Sequence, residues 1–222
     1  RTVPDKLSKH IFYPLWGVYD ESSKLRVLKI LENTQWDPWE KKKSLQWENL
    51  QSLIQAASLH CPYYRNLRLP PVESEDDFRR WPILQKEDIR KNTPALLSKE
   101  FSPEKLIRAK TGGSTGTALE VYFTKECQEQ RNACALRSDK WSGWDLGELR
   151  GALWGNPPSA KTFKEKARRA LLDRMIFLDT MRLNDQTMSE FTRRLLEHRV
   201  RHLFGHAHSL FIYAHYLQAH PE

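Results

Sequence analysis

The residues of this chain best equipped for chemistry run Lys110-Thr111-Gly112-Gly113-Ser114-Thr115-Gly116-Thr117. Three glycines within five positions let the backbone take positive φ and approach a ligand closely, while Thr111, Ser114, Thr115 and Thr117 contribute four hydroxyls. With Lys110 at its entrance, such a loop can form a concave set of N–H and O–H donors suited to a polyphosphate. The same composition also describes a Gly/Ser/Thr hairpin turn that binds nothing. The pattern is not a Walker A loop, because Thr117 and Ala118 stand where that motif has Lys-Ser/Thr, and it is not GxGxxG, because Gly112 and Gly113 are adjacent.

Other groups offer less. His198, His202 and His206 recur every four residues, but Gly205 and the apolar step at Leu203-Phe204 predict that the helix ends near Val200, which breaks their alignment; no metal site is expected. Cys127 and Cys134 are seven apart on one predicted helical face and read as small buried apolar groups, with no local base to activate either thiol. Ser114 lies in no Gly-x-Ser-x-Gly elbow, which argues against a hydrolase. Trp154 and Gly155 follow a predicted strand, where ligands of α/β sheets tend to bind, although a packed core tryptophan is the plainer alternative.

These residues need a scaffold, and the chain has two textures. Nine of its twelve prolines precede residue 104, whereas eight of its nine glycines follow it. Residues 1–104 therefore read as a helical, proline-punctuated region and residues 105–222 as an α/β region. In the first, Asp37-Pro38 starts a helix that Pro62 stops, Ser74 caps a short acidic turn, and another helix covers 86–97. In the second, strands at 106–109 and 119–123 flank the glycine loop as a hairpin, and a helix follows to about Trp141. Strands at 150–154, 175–179 and 202–204 then alternate with helices at 160–173, 187–200 and from Ser209. Thr187, with Glu190 three residues on, has the form of a capping box for the second of these helices. The expected class is α/β: a helical N-terminal region followed by a mixed β-sheet flanked by helices.

Composition sets limits on function. With 222 residues, 39% apolar and 11% aromatic, the chain can bury a core without disulfides or metal, and no stretch approaches the ~18 apolar residues of a membrane helix. The first residues, Arg1-Thr2-Val3-Pro4-Asp5, hold neither an initiator Met nor a signal-peptide apolar region, so an upstream start is expected. Three cysteines, Cys61, Cys127 and Cys134, suit a reducing compartment and hence the cytoplasm. Of the +8 formal charge, +5 falls in residues 160–202, which hold eleven Lys/Arg against six Asp/Glu. A solvated basic helix carrying Lys161, Lys164, Lys166, Arg168 and Arg169 is the leading reading, ahead of nucleic-acid binding.

Thr111 to Thr117 followed by a strand resembles the phosphate-binding loop of the adenylate-forming (AMP-binding) enzymes, the superfamily of acyl-CoA synthetases, adenylation domains and luciferases. The flanks are similar to its phenylacetate-CoA ligase branch, and within it to proteins encoded in capsule and other surface-polysaccharide clusters: Cys61-Pro62-Tyr63-Tyr64-Arg65, Trp81-Pro82-Ile83-Leu84, Lys86-Glu87-Asp88-Ile89-Arg90, Leu119-Glu120-Val121, and Trp141-Ser142-Gly143-Trp144 with Gly147. The likeness runs from about residue 38 to 217.

The resemblance implies part of the family's large-domain fold. It also implies that Thr111, Gly112, Gly113, Ser114, Thr115, Gly116 and Thr117 hold the β- and γ-phosphates of ATP, with Mg2+, while a small-molecule carboxylic acid attacks the α-phosphate to give an acyl-adenylate and pyrophosphate. Coenzyme A is among the acceptors it implies. Ala118-Leu119 replaces the Pro-Lys of many members, which removes one phosphate contact and leaves Lys110 or Lys125 as candidate substitutes. Relatives place part of the acyl-substrate wall near Trp154 and Gly155. Gly205-His206-Ala207-His208-Ser209-Leu210 resembles the Gly-Tyr-Pro-Ser stretch that precedes the adenine-binding segment. That segment, the ribose-binding aspartate and the catalytic lysine are expected beyond Glu222, in a C-terminal part of the same protein. The expectation is the N-terminal part of an ATP-dependent ligase, inactive by itself. The alternatives are a non-catalytic nucleotide- or partner-binding module and a nucleic-acid-binding domain using residues 160–202.

Overall fold

A computed structural model describes residues 2–110, 118–156 and 159–221. In chain order, α1 (Val3–Leu7) runs through a π-helical turn (Ser8–Phe12) into α2 (Tyr13–Tyr19), followed by α3 (Lys24–Thr34), α4 (Trp39–His60), α5 (Pro62–Leu67), α6 (Glu75–Arg79) and α7 (Lys86–Leu96). Next come β1 (Ile107–Lys110), β2 (Glu120–Phe123), α8 (Lys125–Trp141) and β3 (Arg150–Trp154). The chain continues through α9 (Phe163–Arg168), a second π-helical turn (Arg169–Asp173), β4 (Met175–Asp179), α10 (Asp185–Glu197), β5 (Leu203–Gly205) and α11 (Ala207–Ala219). The mixed α/β class read from the sequence is observed, with two separate small sheets instead of one mixed sheet.

Contacts group Arg1–Leu28 with Ala133–Glu222 as one compact unit and Lys29–Asn132 as another. This differs from the boundary at 104/105, which followed the change from proline to glycine and not the packing. The physical reason lies in the first turns. The Asp5 carboxylate accepts from the Thr2 N–H at 2.6 Å and pairs with the Arg174 guanidinium at 2.5 Å, while Arg174 also donates to the Gly147 carbonyl. Ser8 Oγ donates to Leu171 O at 2.5 Å, Tyr13 OH to Leu172 O at 3.2 Å, and Lys9 Nζ to Asp145 at 2.6 Å. Gly147, at φ +82, admits this packing: a Cβ there would lie 2.6 Å from Asp5 O.

In that unit β4, β3 and β5 form a parallel sheet with β3 at its centre. Strand alternation sends Leu153, Ile176 and Leu178 to one face, where they bury against Met188 and Phe191 of α10 and Tyr213 of α11. Burial of this kind is worth about 1.5–3 kcal/mol per large side chain. Phe191 and Tyr213 meet edge to face at 5.3 Å, and Thr192 Oγ1 and Tyr213 OH share a 2.8 Å hydrogen bond, so the buried phenol is satisfied. Arg150 pairs with Asp139 at 2.6 Å and lies over the Trp144 and Phe204 rings on the other face.

The second unit is helical with one hairpin. Pro62 ends α4 and starts α5, as its fixed φ and missing N–H dictate. Ser74 Oγ accepts from the Asp77 N–H at 3.2 Å and Asp77 accepts from the Ser74 N–H at 2.9 Å, the reciprocal cap that opens α6. Tyr64 stacks on Trp81 at 6.0 Å.

Candidate functional site

The hairpin that carries the glycine-rich loop is formed as the alternation implied. β1 and β2 pair antiparallel, Ile107 with Phe123 through Lys110 with Glu120. Residues 111–119 close the gap between Lys110 and Glu120, although a two-residue turn would suffice to join adjacent strands. The connection is therefore far longer than pairing requires. Thr111, Gly112, Gly113, Ser114, Thr115, Gly116 and Thr117 lie outside the described residues, so the geometry available is that of the loop's two roots.

At those roots Glu120 is shared. Lys110 Nζ lies 2.9 Å and Arg108 Nη2 2.5 Å from Glu120 Oε1, an excess of one positive charge at the mouth of the loop. The Lys110 ammonium foremost, with Arg108, holds the Glu120 carboxyl below the usual carboxylate range. Lys125, the other candidate phosphate partner, follows the far end of β2. Three residue steps of strand, about 10 Å, separate that end from Glu120. Lys125 instead lines a cavity of about 430 Å³ with Glu100, Lys105, Thr124 and Glu126 at the base of the hairpin. Lys110 and Lys125 thus sit at opposite ends of β2.

In the other unit, the carboxyl ends of β3, β4 and β5 form an edge of different chemistry. Register places Trp154 beside Asp179 of β4, and Leu153 beside Gly205 of β5. Trp154, Phe204 and His206 share the face opposite the α10 core. The Trp154 indole stacks on the His206 imidazole at 4.1 Å and 23°, and on Phe204 at 5.6 Å and 11°. Trp154 keeps 37% of its surface exposed, so it is not a fully packed core tryptophan. Gly155 follows it, and a Cβ there would meet Thr180 Oγ1 at 3.4 Å and Met181 Sδ at 3.5 Å, ordinary contact that leaves the position tolerant of alanine. Asp179 turns back to accept from the Met181 N–H at 3.0 Å. Planar, half-open and largely apolar, this edge can stack an aromatic or hydrophobic body.

Phe204 and His206 were not singled out as partners of Trp154. Phe204 comes from β5 and His206 from the cap of α11, so no local pattern in the sequence joins them to Trp154. Cys134 is exposed and Cys127 half-buried, which corrects the expectation that both are buried. Cys61, at the junction of α4 and α5, is half-buried, and burial pushes its thiol up. α10 ends at Glu197 with His198 as its cap, so His198 and His202 are not on one helix, and among the described residues no three metal-capable side chains converge. No described helix is long and apolar enough to cross a membrane.

Comparison of the chain with protein-family models, with curated proteins and with solved structures gives no match.

Proposed function

We propose that this chain is part of an ATP-dependent carboxylate-activating ligase of the adenylate-forming kind, similar to the phenylacetate-CoA ligases and acting in surface-polysaccharide biosynthesis. The observation that carries the reading is the connection of nine residues, 111–119, rooted on a paired hairpin that needs no such length. Its Gly/Ser/Thr composition and the residual positive charge of Arg108 and Lys110 over Glu120 suit the phosphates of ATP. Phosphate chemistry asks for little covalent work from side chains; what the protein supplies is charge and position. The loop's amides and the hydroxyls of Thr111, Ser114, Thr115 and Thr117 would orient the polyphosphate and its Mg2+. Within its own unit, the Trp154–His206–Phe204 stack offers a surface for an aromatic or apolar body at the carboxyl edge of the sheet, where α/β proteins bind ligands.

Titration with MgATP tests the loop. Gly113→Val blocks close approach of the backbone and should weaken ATP binding by about tenfold or more, with the fold intact. Unchanged affinity in that variant would remove the phosphate role. A non-catalytic nucleotide-binding module shares this loop and is separated by activity: pyrophosphate exchange into ATP that depends on a carboxylic acid belongs to the ligase alone.

A further inference from the structure

We infer that the amino end of the parallel sheet carries a second anion site, built for a small phosphorylated molecule with an apolar body and distinct from the loop at 111–117. A cavity of about 510 Å³ opens there, lined by Lys166 of α9, Arg169 and Ala170 of the π-helical turn, Arg174 and Met175 at the start of β4, Arg194 of α10 and His198 at its C-terminal cap, over a floor completed by Leu149 and Ile176. Four residue steps of β3, about 13 Å, separate this end of the sheet from the Trp154 edge. The lining holds four guanidinium or ammonium groups and a histidine, and among the described residues no carboxylate.

The local acids are engaged elsewhere. Asp5 holds Arg174, Asp173 pairs with Arg168 at 3.4 Å, and Glu190 and Glu197 both grip Arg193. Glu165 accepts from the Lys161 and Thr162 N–H groups at 2.7 and 3.0 Å. Lys166 and Arg194 therefore face the cavity with no ion-pair partner among the described residues, and Arg169 lies over the Phe177 ring at 5.2 Å. The site is an open groove: Lys166, Arg194 and His198 are exposed and Arg169 and Arg174 half-buried, so cations of one sign stand around an apolar floor and raise the local concentration of anions. The volume is that of a small-molecule site, and the mixture of cations with Leu149, Met175 and Ile176 matches a phosphate monoester on an apolar group.

Isothermal titration of the whole chain with phenyl phosphate, with inorganic phosphate and with a short single-stranded oligonucleotide tests the site. Phenyl phosphate should bind more tightly than inorganic phosphate. The exposed pair Lys166→Ala with Arg194→Ala should weaken it about tenfold or more, because two charge-assisted contacts are lost, while Gly113→Val leaves it unchanged. An unaltered thermal midpoint of the unliganded double variant shows that the site and not the fold has changed. Any of three results overturns the inference: no phenyl phosphate binding, equal binding by the double variant, or loss of oligonucleotide binding alone in that variant.

Discussion

Replacing Asp5 by alanine tests whether the first helix is a structural part of the parallel-sheet unit. The carboxylate is buried, accepts from the Thr2 N–H at 2.6 Å and faces an Arg174 side chain that keeps only 15% of its surface exposed. Deleting it leaves an uncompensated guanidinium and an uncapped helix start, together about 2–4 kcal/mol at neutral pH. With an m-value of about 2 kcal/mol per M, the urea midpoint falls by about 1–2 M. The pH dependence adds a sharper signature. Burial by itself would raise the Asp5 carboxyl, but the Thr2 N–H and Arg174 outweigh it and hold the group below the ordinary carboxylate range. A lowered carboxyl stabilises the fold above its unfolded pKa of about 3.9, and that stability is lost as pH falls through the folded value. The gap between parent and Asp5→Ala should therefore be widest above pH ~5 and close toward pH ~2. A loss below about 0.5 kcal/mol, or a gap that stays constant to low pH, would refute the reasoning.

Three further outcomes are expected. Burial pushes the Tyr13 phenol up to about 12 from 10.0, so stability should fall as pH rises through 10 and past 12, by roughly 2–3 kcal/mol in all; Tyr13→Phe should abolish that loss in urea titrations across this range. Gly151→Val should destabilise by about 1–3 kcal/mol in thermal unfolding, because even a Cβ there would lie 2.7 Å from Leu203 and 2.8 Å from Leu195. A thiol reagent should modify exposed Cys134 well before half-buried Cys61, whose thiol is pushed up, in a timed labelling experiment read by mass spectrometry.

Much of the fold is legible in the sequence where the causes are local. Gly151-Ala152-Leu153-Trp154 and Met175-Ile176-Phe177-Leu178 are short apolar runs, and both form strands with the predicted bounds. The Ser74 cap follows from capping chemistry, whereas the helix after Asp37-Pro38 starts at Trp39 with Pro38 itself at the cap position and no side-chain cap, so only its approximate start was legible. The start of α10 was misplaced because two capping patterns overlap: Asn184 accepts from the Thr187 N–H at 2.9 Å and Thr187 is its third residue, while Glu190 turns to Arg193. The first 28 residues were illegible as part of the sheet unit because every anchor they use, from Asp145 to Arg174, lies more than a hundred positions away. The capping box at Thr2 with Asp5 was the one local signal. The site divides the same way. The glycine-rich connection at 111–117 could be read from composition, whereas the aromatic edge and the basic cavity needed neighbours supplied by separate elements. Net charge reported the second of these only as a sum.

Under the proposed function, this chain belongs to an enzyme that activates a carboxylic acid with ATP. The most direct test is exchange of labelled pyrophosphate into ATP by the full-length protein, across a panel of aromatic and aliphatic acids. Exchange that requires one of those acids and collapses in Gly113→Val is the predicted result. ATP binding with no exchange for any acid, or exchange unaffected by Gly113→Val, would contradict it.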